Sequence, residues 1–262
     1  MQISGEGQPE KQKGDTMKQR GIGKHHARLR RAFLTCWILV FLPPLVGQEI
    51  ADYQSDEIIS RIRRKSAIIY QKYKGVECRR TIISKQYDDR TGAEVGGYEA
   101  VLLRKEYFYQ KAKNEVLSFS PYGKMSVPRR FLFQTRPPIH PPFDANADTN
   151  YRLRVTGKKR IQGKECWEIA VTPLKKTYRH LAGSAYFTVQ ELDLVCLAGT
   201  VADLPTGVKS LSMEVFFKKL DDAYVIDRGT YAFTIHIPIF FPHRRLVQTF
   251  TSCEDRLIPA HE

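Results

Sequence analysis

The chain has 262 residues, of which 42% are hydrophobic and 27% charged, with a formal net charge of +14. That composition excludes a disordered or collagenous chain, and five cysteines are too few for a small disulfide-built scaffold. The excess of positive charge is uneven: residues 1–31 hold eight Lys and Arg against three acids, and residues 32–47 hold no charge at all.

Residues 1–47 read as a basic flank followed by a short apolar run, the pattern of a secretory signal peptide. The run reaches Pro43-Pro44 after about eleven residues, whereas a membrane-spanning helix needs about twenty. Gly47 precedes the expected cleavage point, and Met17 offers a second start. A retained signal anchor is the alternative. The expected product is a periplasmic domain over residues 48–262. It keeps Cys78, Cys166, Cys196 and Cys253, for which three pairings are possible. Cys166 and Cys196 fall on neighbouring expected strands, so a bridge between them and a pair of packed free thiols both remain open.

Ser55 is placed to cap a helix that continues to about Tyr73, with Ile58, Ile62, Ser66, Ile69 and Tyr70 on one stripe and Arg61, Arg63, Arg64 and Lys65 off it. Gly75 is expected to end it. The period then changes to two. Strands are expected over residues 76–87 and 98–104, with a turn at 88–92 between them, and short strands at 107–110 and 115–120. Six prolines in residues 121–150 predict a long surface excursion outside the sheet. A hairpin follows over residues 151–161 and 164–172, turning at Gln162-Gly163. Further strands are expected at 185–189, 194–202, 209–220, 223–237 and 246–253. Strands joined by short turns, with no helices between them, imply a mainly β, curved antiparallel sheet with the helix available to cover it.

The sequence carries no phosphate-binding loop, nucleotide fingerprint, nucleophile elbow or HExxH motif. No enzyme, metal or cofactor is therefore expected. Basic clusters at 61–65, 158–160, 175–180 and 244–245 suit anionic head groups or envelope polymers, and an exported protein meets no nucleic acid.

The stretch Gly157-Lys-Lys-Arg-Ile-Gln-Gly-Lys-Glu-Cys-Trp-Glu-Ile-Ala-Val-Thr-Pro173, then Ala185-Tyr-Phe-Thr-Val-Gln-Glu-Leu-Asp-Leu-Val195 and Gly199-Thr-Val201, resembles the outer-membrane lipoprotein-sorting (LolA-like) family. The resemblance implies an incomplete β-barrel lidded by helix and a periplasmic protein holding a lipoprotein acyl chain or another lipid in an apolar cavity. It implies a ligand-handling role for Arg104. On the strands, Trp167, Ile169 and Val171, Phe187 with Val189, Val215 with Phe217, and Phe233 with Ile235 supply apolar faces for such a chain, under a lid of Ile58, Ile62 and Ile69. The competing expectation is a non-enzymatic envelope module that uses the same half-barrel to bind a membrane or envelope protein.

Overall fold

A computed structural model describes residues 45–124, 133, 139–144, 147–237 and 241–261. The expected signal segment up to Pro44 and much of the proline-rich stretch lie outside them. Helix α1 (Leu45–Lys72) leads directly into β1 (Tyr73–Asp88), then β2 (Glu94–Tyr107) and β3 (Lys113–Gly123). One helical turn, α2 (Ala147–Asn150), precedes β4 (Tyr151–Ile161), β5 (Lys164–Pro173), β6 (Leu181–Thr188) and β7 (Leu194–Val201). Three long strands finish the chain: β8 (Val208–Leu220), β9 (Ala223–Ile237) and β10 (Phe241–Pro259).

The ten strands form one antiparallel sheet in the order β3-β2-β1-β10-β9-β8-β7-β6-β5-β4. The first strand pairs with the last, from Tyr73 opposite Pro259 to Asp88 opposite Arg244. Strands β3 and β4 are consecutive in the chain yet stand at opposite edges, so the sheet does not close. The result is the expected fold class, a mainly β incomplete barrel with an N-terminal covering helix. Val46–Glu262 forms a compact unit of its own.

Local chemistry explains the strand ends. Gln162 and Gly163 both have positive φ, at 51° and 79°, as a two-residue hairpin turn with the twist of its strands requires. Elsewhere the structure departs from expectation. Helix α1 starts ahead of Ser55, whose hydroxyl does not cap it but accepts a hydrogen bond from the Val155 amide at 3.0 Å. Gly75 does not end the helix either; it lies inside β1, where a Cβ would sit 2.0 Å from the Glu106 carbonyl oxygen. Pro121 continues β3 opposite Tyr98 rather than opening a loop. An edge strand tolerates a proline because one side of its ladder needs no donors. Beyond it, Phe143, Asp144, Ala147 and Asn150 are buried, so this part of the proline-rich stretch belongs to the interior and not to a surface excursion.

The core has two characters. Over β4–β7, Ile58 and Ile62 of α1 pack on Ile169, Val171, Leu181 and Phe187. Across β1, β2 and β10 the buried set is partly polar: Arg80, Ser84, Gln86 and Ser252. The helix is pinned by Lys65 Nζ to Asp193 Oδ1 at 2.6 Å and by Lys72 Nζ to Asp222 Oδ2 at 2.7 Å. Cys78, Cys166, Cys196 and Cys253 are all free. Cys166 and Cys196 share a small buried cluster with Tyr186 and Val195, as packed thiols. Burial pushes the Cys196 thiol up to about 12.

Candidate functional site

Where the helix leaves the sheet uncovered, a cavity of about 450 Å³ opens. Three separate elements wall it. Helix α1 contributes Ile69 and Tyr70; the segment at 139–143 contributes Ile139, His140 and Phe143. The sheet contributes Leu197 from β7, Met213 and Phe217 from β8, and Val225 and Ile226 from β9. Strand β2 and its end supply Arg104, Glu106 and Phe108. Period-two alternation puts Met213 and Phe217 on the cavity side of β8, while Phe216 packs on the opposite side against the Cys166 and Cys196 cluster.

Charge enters this apolar wall in one place. Glu106 accepts from Arg80 through both terminal guanidinium nitrogens, Nη1 at 2.9 Å and Nη2 at 3.0 Å. It also accepts from Arg104 Nε at 2.7 Å. Arg80 Nε donates to Ser252 Oγ at 3.1 Å, and Arg104 Nη1 donates to Asn114 Oδ1 at 2.7 Å. Burial alone would raise the Glu106 carboxyl. The two arginine charges and their hydrogen bonds outweigh it and hold the group at about 2. The trio therefore carries one net positive charge beside the cavity, and Arg104 and Glu106 are its cavity-lining members.

A second cluster seals the segment at 139–144. The His140 and His180 rings lie 4.9 Å apart. The Tyr151 hydroxyl donates to the His140 carbonyl at 2.7 Å, and His180 Nδ1 meets Thr177 Oγ1 at 2.7 Å. Burial holds both imidazoles below their ordinary range.

The structure distributes the expected site residues over several environments. Arg104, Phe217 and Ile69 line the cavity. Val215 is buried on β8 between Met213 and Phe217. Ile169, Val171 and Phe187 are covered by Ile58 and Ile62, and Trp167 packs at the edge of that cluster. Val189 lies past the end of β6, beside Glu191 in a polar surface hollow. Phe233 stands opposite Leu211 and Leu246, and Ile235 opposite Val208 and Arg244; neither lines the cavity. Sequence reasoning missed Glu106, Arg80, Tyr70, Phe108, Leu197 and Met213. The signal for Arg80 and Glu106 was period-two position: each shares a strand face with buried neighbours, Cys78 and Leu102 respectively.

Among the described residues no group of three or more His, Cys, Asp or Glu stands ready for a metal, and no helix is long and apolar enough to cross a membrane. The arrangement is an open sheet, a covering helix and an apolar cavity with one charged wall. No protein-family model matches the chain, and no curated protein matches it. Among solved structures it is similar to a LolA superfamily protein from Nitrosomonas europaea, at 9% identity and a TM-score of 0.39, covering 76% of this chain and 93% of that one. It is similar, at the same identity and score, to a domain assigned as an outer membrane lipoprotein-sorting protein from Vibrio parahaemolyticus, and to a DUF1329 family protein from Desulfovibrio piger. Each of these two matches covers 79% of this chain and 93% of the other.

Proposed function

We propose that this protein is a periplasmic hydrophobic-ligand binder of the lipoprotein-sorting type, which holds an acyl chain in the cavity between α1 and the sheet and catalyses no reaction. The observation that carries this reading is the cavity itself. At about 450 Å³ it falls within the range of small-molecule sites, and Ile69, Phe108, Leu197, Met213, Phe217 and Ile226 give it an apolar lining. Burying about ten methylenes at about 0.8 kcal/mol each contributes on the order of 8 kcal/mol, or roughly micromolar affinity before ordering costs. Such an affinity shields a chain from water and still lets it leave without an energy source. Export follows from the signal-like residues 1–47. Arg104 is the residue at hand for a polar head group.

The test is titration of the Val46–Glu262 unit with a fluorescent fatty-acyl probe, beside Met213→Trp, which fills the cavity, and Ile68→Glu, an exposed control. Saturable micromolar binding that Met213→Trp weakens and Ile68→Glu leaves alone is expected. Absence of saturable binding, or equal binding by Met213→Trp, overturns the proposal.

A further inference from the structure

The sequence has four basic clusters, and the fold treats them differently. On α1, Arg63 pairs with Asp148 and Lys65 with Asp193, while Arg61 and Arg64 are exposed. On the β4–β5 hairpin, Lys158 lies 4.7 Å from the Trp167 ring centroid and Lys159 lies 5.5 Å from that of Tyr186. On β10, Arg244 binds Asp88 at 2.8 Å and Arg245 covers the Tyr87 ring. The β5–β6 loop, residues 174–179, joins its cations to exposed apolar side chains beside the cavity. It reads Leu-Lys-Lys-Thr-Tyr-Arg and holds no acid. Lys176 is exposed and makes no ion pair or ring contact among the described residues. Among the described residues Lys175 donates to a neutral oxygen, Asn150 Oδ1, at 3.2 Å. Two exposed acids, Asp56 and Asp148, share a surface hollow with Leu174, and Asp148 is paired with Arg63.

The same loop exposes two large side chains, Leu174 at 51% and Tyr178 at 43%. A single exposed apolar residue needs no explanation. Here an aliphatic tip and an amphipathic ring alternate with cations in six residues, and the loop is braced rather than slack. The Thr177 amide donates to the Lys175 carbonyl at 3.2 Å, the Arg179 amide to Thr177 Oγ1 at 3.2 Å, and the His180 amide to the Thr177 carbonyl at 3.1 Å. The loop also belongs to the rim of the cavity. The His140 amide donates to the Arg179 carbonyl at 2.8 Å, and His140 and Leu181 line the cavity. Tyr109, exposed beside Arg179, continues the rim through a smaller hollow that shares Phe108 and His140 with the cavity.

From this combination we infer that the 174–179 loop docks the protein on an anionic phospholipid surface, with Leu174 and Tyr178 entering the headgroup layer and the cavity rim facing the lipid. Cations near an anionic leaflet are drawn to it, and tyrosine and leucine favour the interface. A diffusible binder docked by its cavity rim would exchange a chain with the bilayer without carrying it through water. The biological purpose rests on the acyl-binding proposal above; the docking itself does not.

The experiment uses the Val46–Glu262 unit with vesicles of phosphatidylcholine alone and with added phosphatidylglycerol. Co-sedimentation is expected only with the anionic vesicles, and added salt weakens it. Lys175→Gln with Lys176→Gln is expected to lower the affinity about thirtyfold. An equal neutralisation on the hairpin, Lys158→Gln with Lys159→Gln, is expected to leave it within about twofold. Tyr178→Trp reports the contact directly through a fluorescence blue shift on vesicle addition beyond that of the parent. Retention of parental vesicle affinity by the Lys175/Lys176 variant, equal binding to neutral and anionic vesicles, or no shift from Tyr178→Trp overturns the inference. Solution binding of the fatty-acyl probe separates the two proposals. If the probe fails to bind but charge-dependent docking persists, docking stands and only the acyl reading falls.

Discussion

Glu106 holds two arginines, and the difference between them sets what each is worth. Arg80 meets both carboxylate oxygens, bonds Ser252 and lies over the Phe250 ring, with its side chain 8% exposed. Arg104 meets one oxygen and faces the cavity. Glu106→Ala strands the Arg80 charge in the interior, and a loss of about 3–5 kcal/mol in urea unfolding is expected. Glu106→Gln keeps an acceptor oxygen and loses less. Arg104→Ala leaves the Arg80–Glu106 pair intact. It is expected to cost about 1 kcal/mol of stability while changing fatty-acyl probe affinity severalfold; the reverse pattern would make Arg104 structural. The trio also fixes a pH dependence. The folded Glu106 carboxyl titrates at about 2, below its unfolded value of about 4.3. Its contribution is therefore fully present above about 4.3 and is lost as pH falls through 2. Urea midpoints of the wild type and Glu106→Gln are expected to converge in that acid window and to separate above it. Arg104 could be singled out from the sequence only through the resemblance to a family pattern. For Glu106 and Arg80 the period-two position was outweighed, because a charge on a strand ordinarily marks the solvent face, and only a partner from another strand makes burial tolerable.

The covering helix divides along its own surface. Ile62 is 1% exposed within the cluster formed with Ile169 and Phe187, while Ile68 is 57% exposed. Ile62→Ala is expected to cost about 2–5 kcal/mol, and Ile68→Ala less than about 0.5, in denaturant midpoints. That contrast was readable in the 3.6-residue stripe, as was the hairpin at Gln162-Gly163 in its turn residues. The helix start was not. Ser55 has the chemistry of a cap, but its oxygen is claimed by the Val155 amide a hundred residues away, and no local signal reports such a partner. The same limit hid the pairing of β1 with β10. Adjacent strands declare themselves through short turns, whereas a first-to-last pairing depends on how the whole sheet curls. Pro121 misled for a related reason: whether a proline breaks a strand depends on whether that strand is an edge, which is a property of the sheet and not of the residue.

At the scale of the molecule, the open sheet decides what the interior can be. A closed small barrel fills its inside with side chains. Here β3 and β4 remain unpaired with each other, and the helix covers only part of the concave face. The remaining space is walled by α1, the 139–143 segment and the sheet, three elements brought together only in the folded state. A ligand in that space binds the folded chain and has no comparable site on the unfolded one. At a hundred times its Kd it is expected to add about 2.7 kcal/mol. For a domain of this size that raises Tm by roughly 5–10 °C. The measurement is a thermal melt of the Val46–Glu262 unit with and without a soluble fatty acid. Met213→Trp, which occupies the same volume, is expected to melt without the added increment. If the increment survives Met213→Trp, the chain binds elsewhere. If the wild type gains nothing, the cavity is not an acyl site, and the polar trio beside it must be explained by the sheet alone.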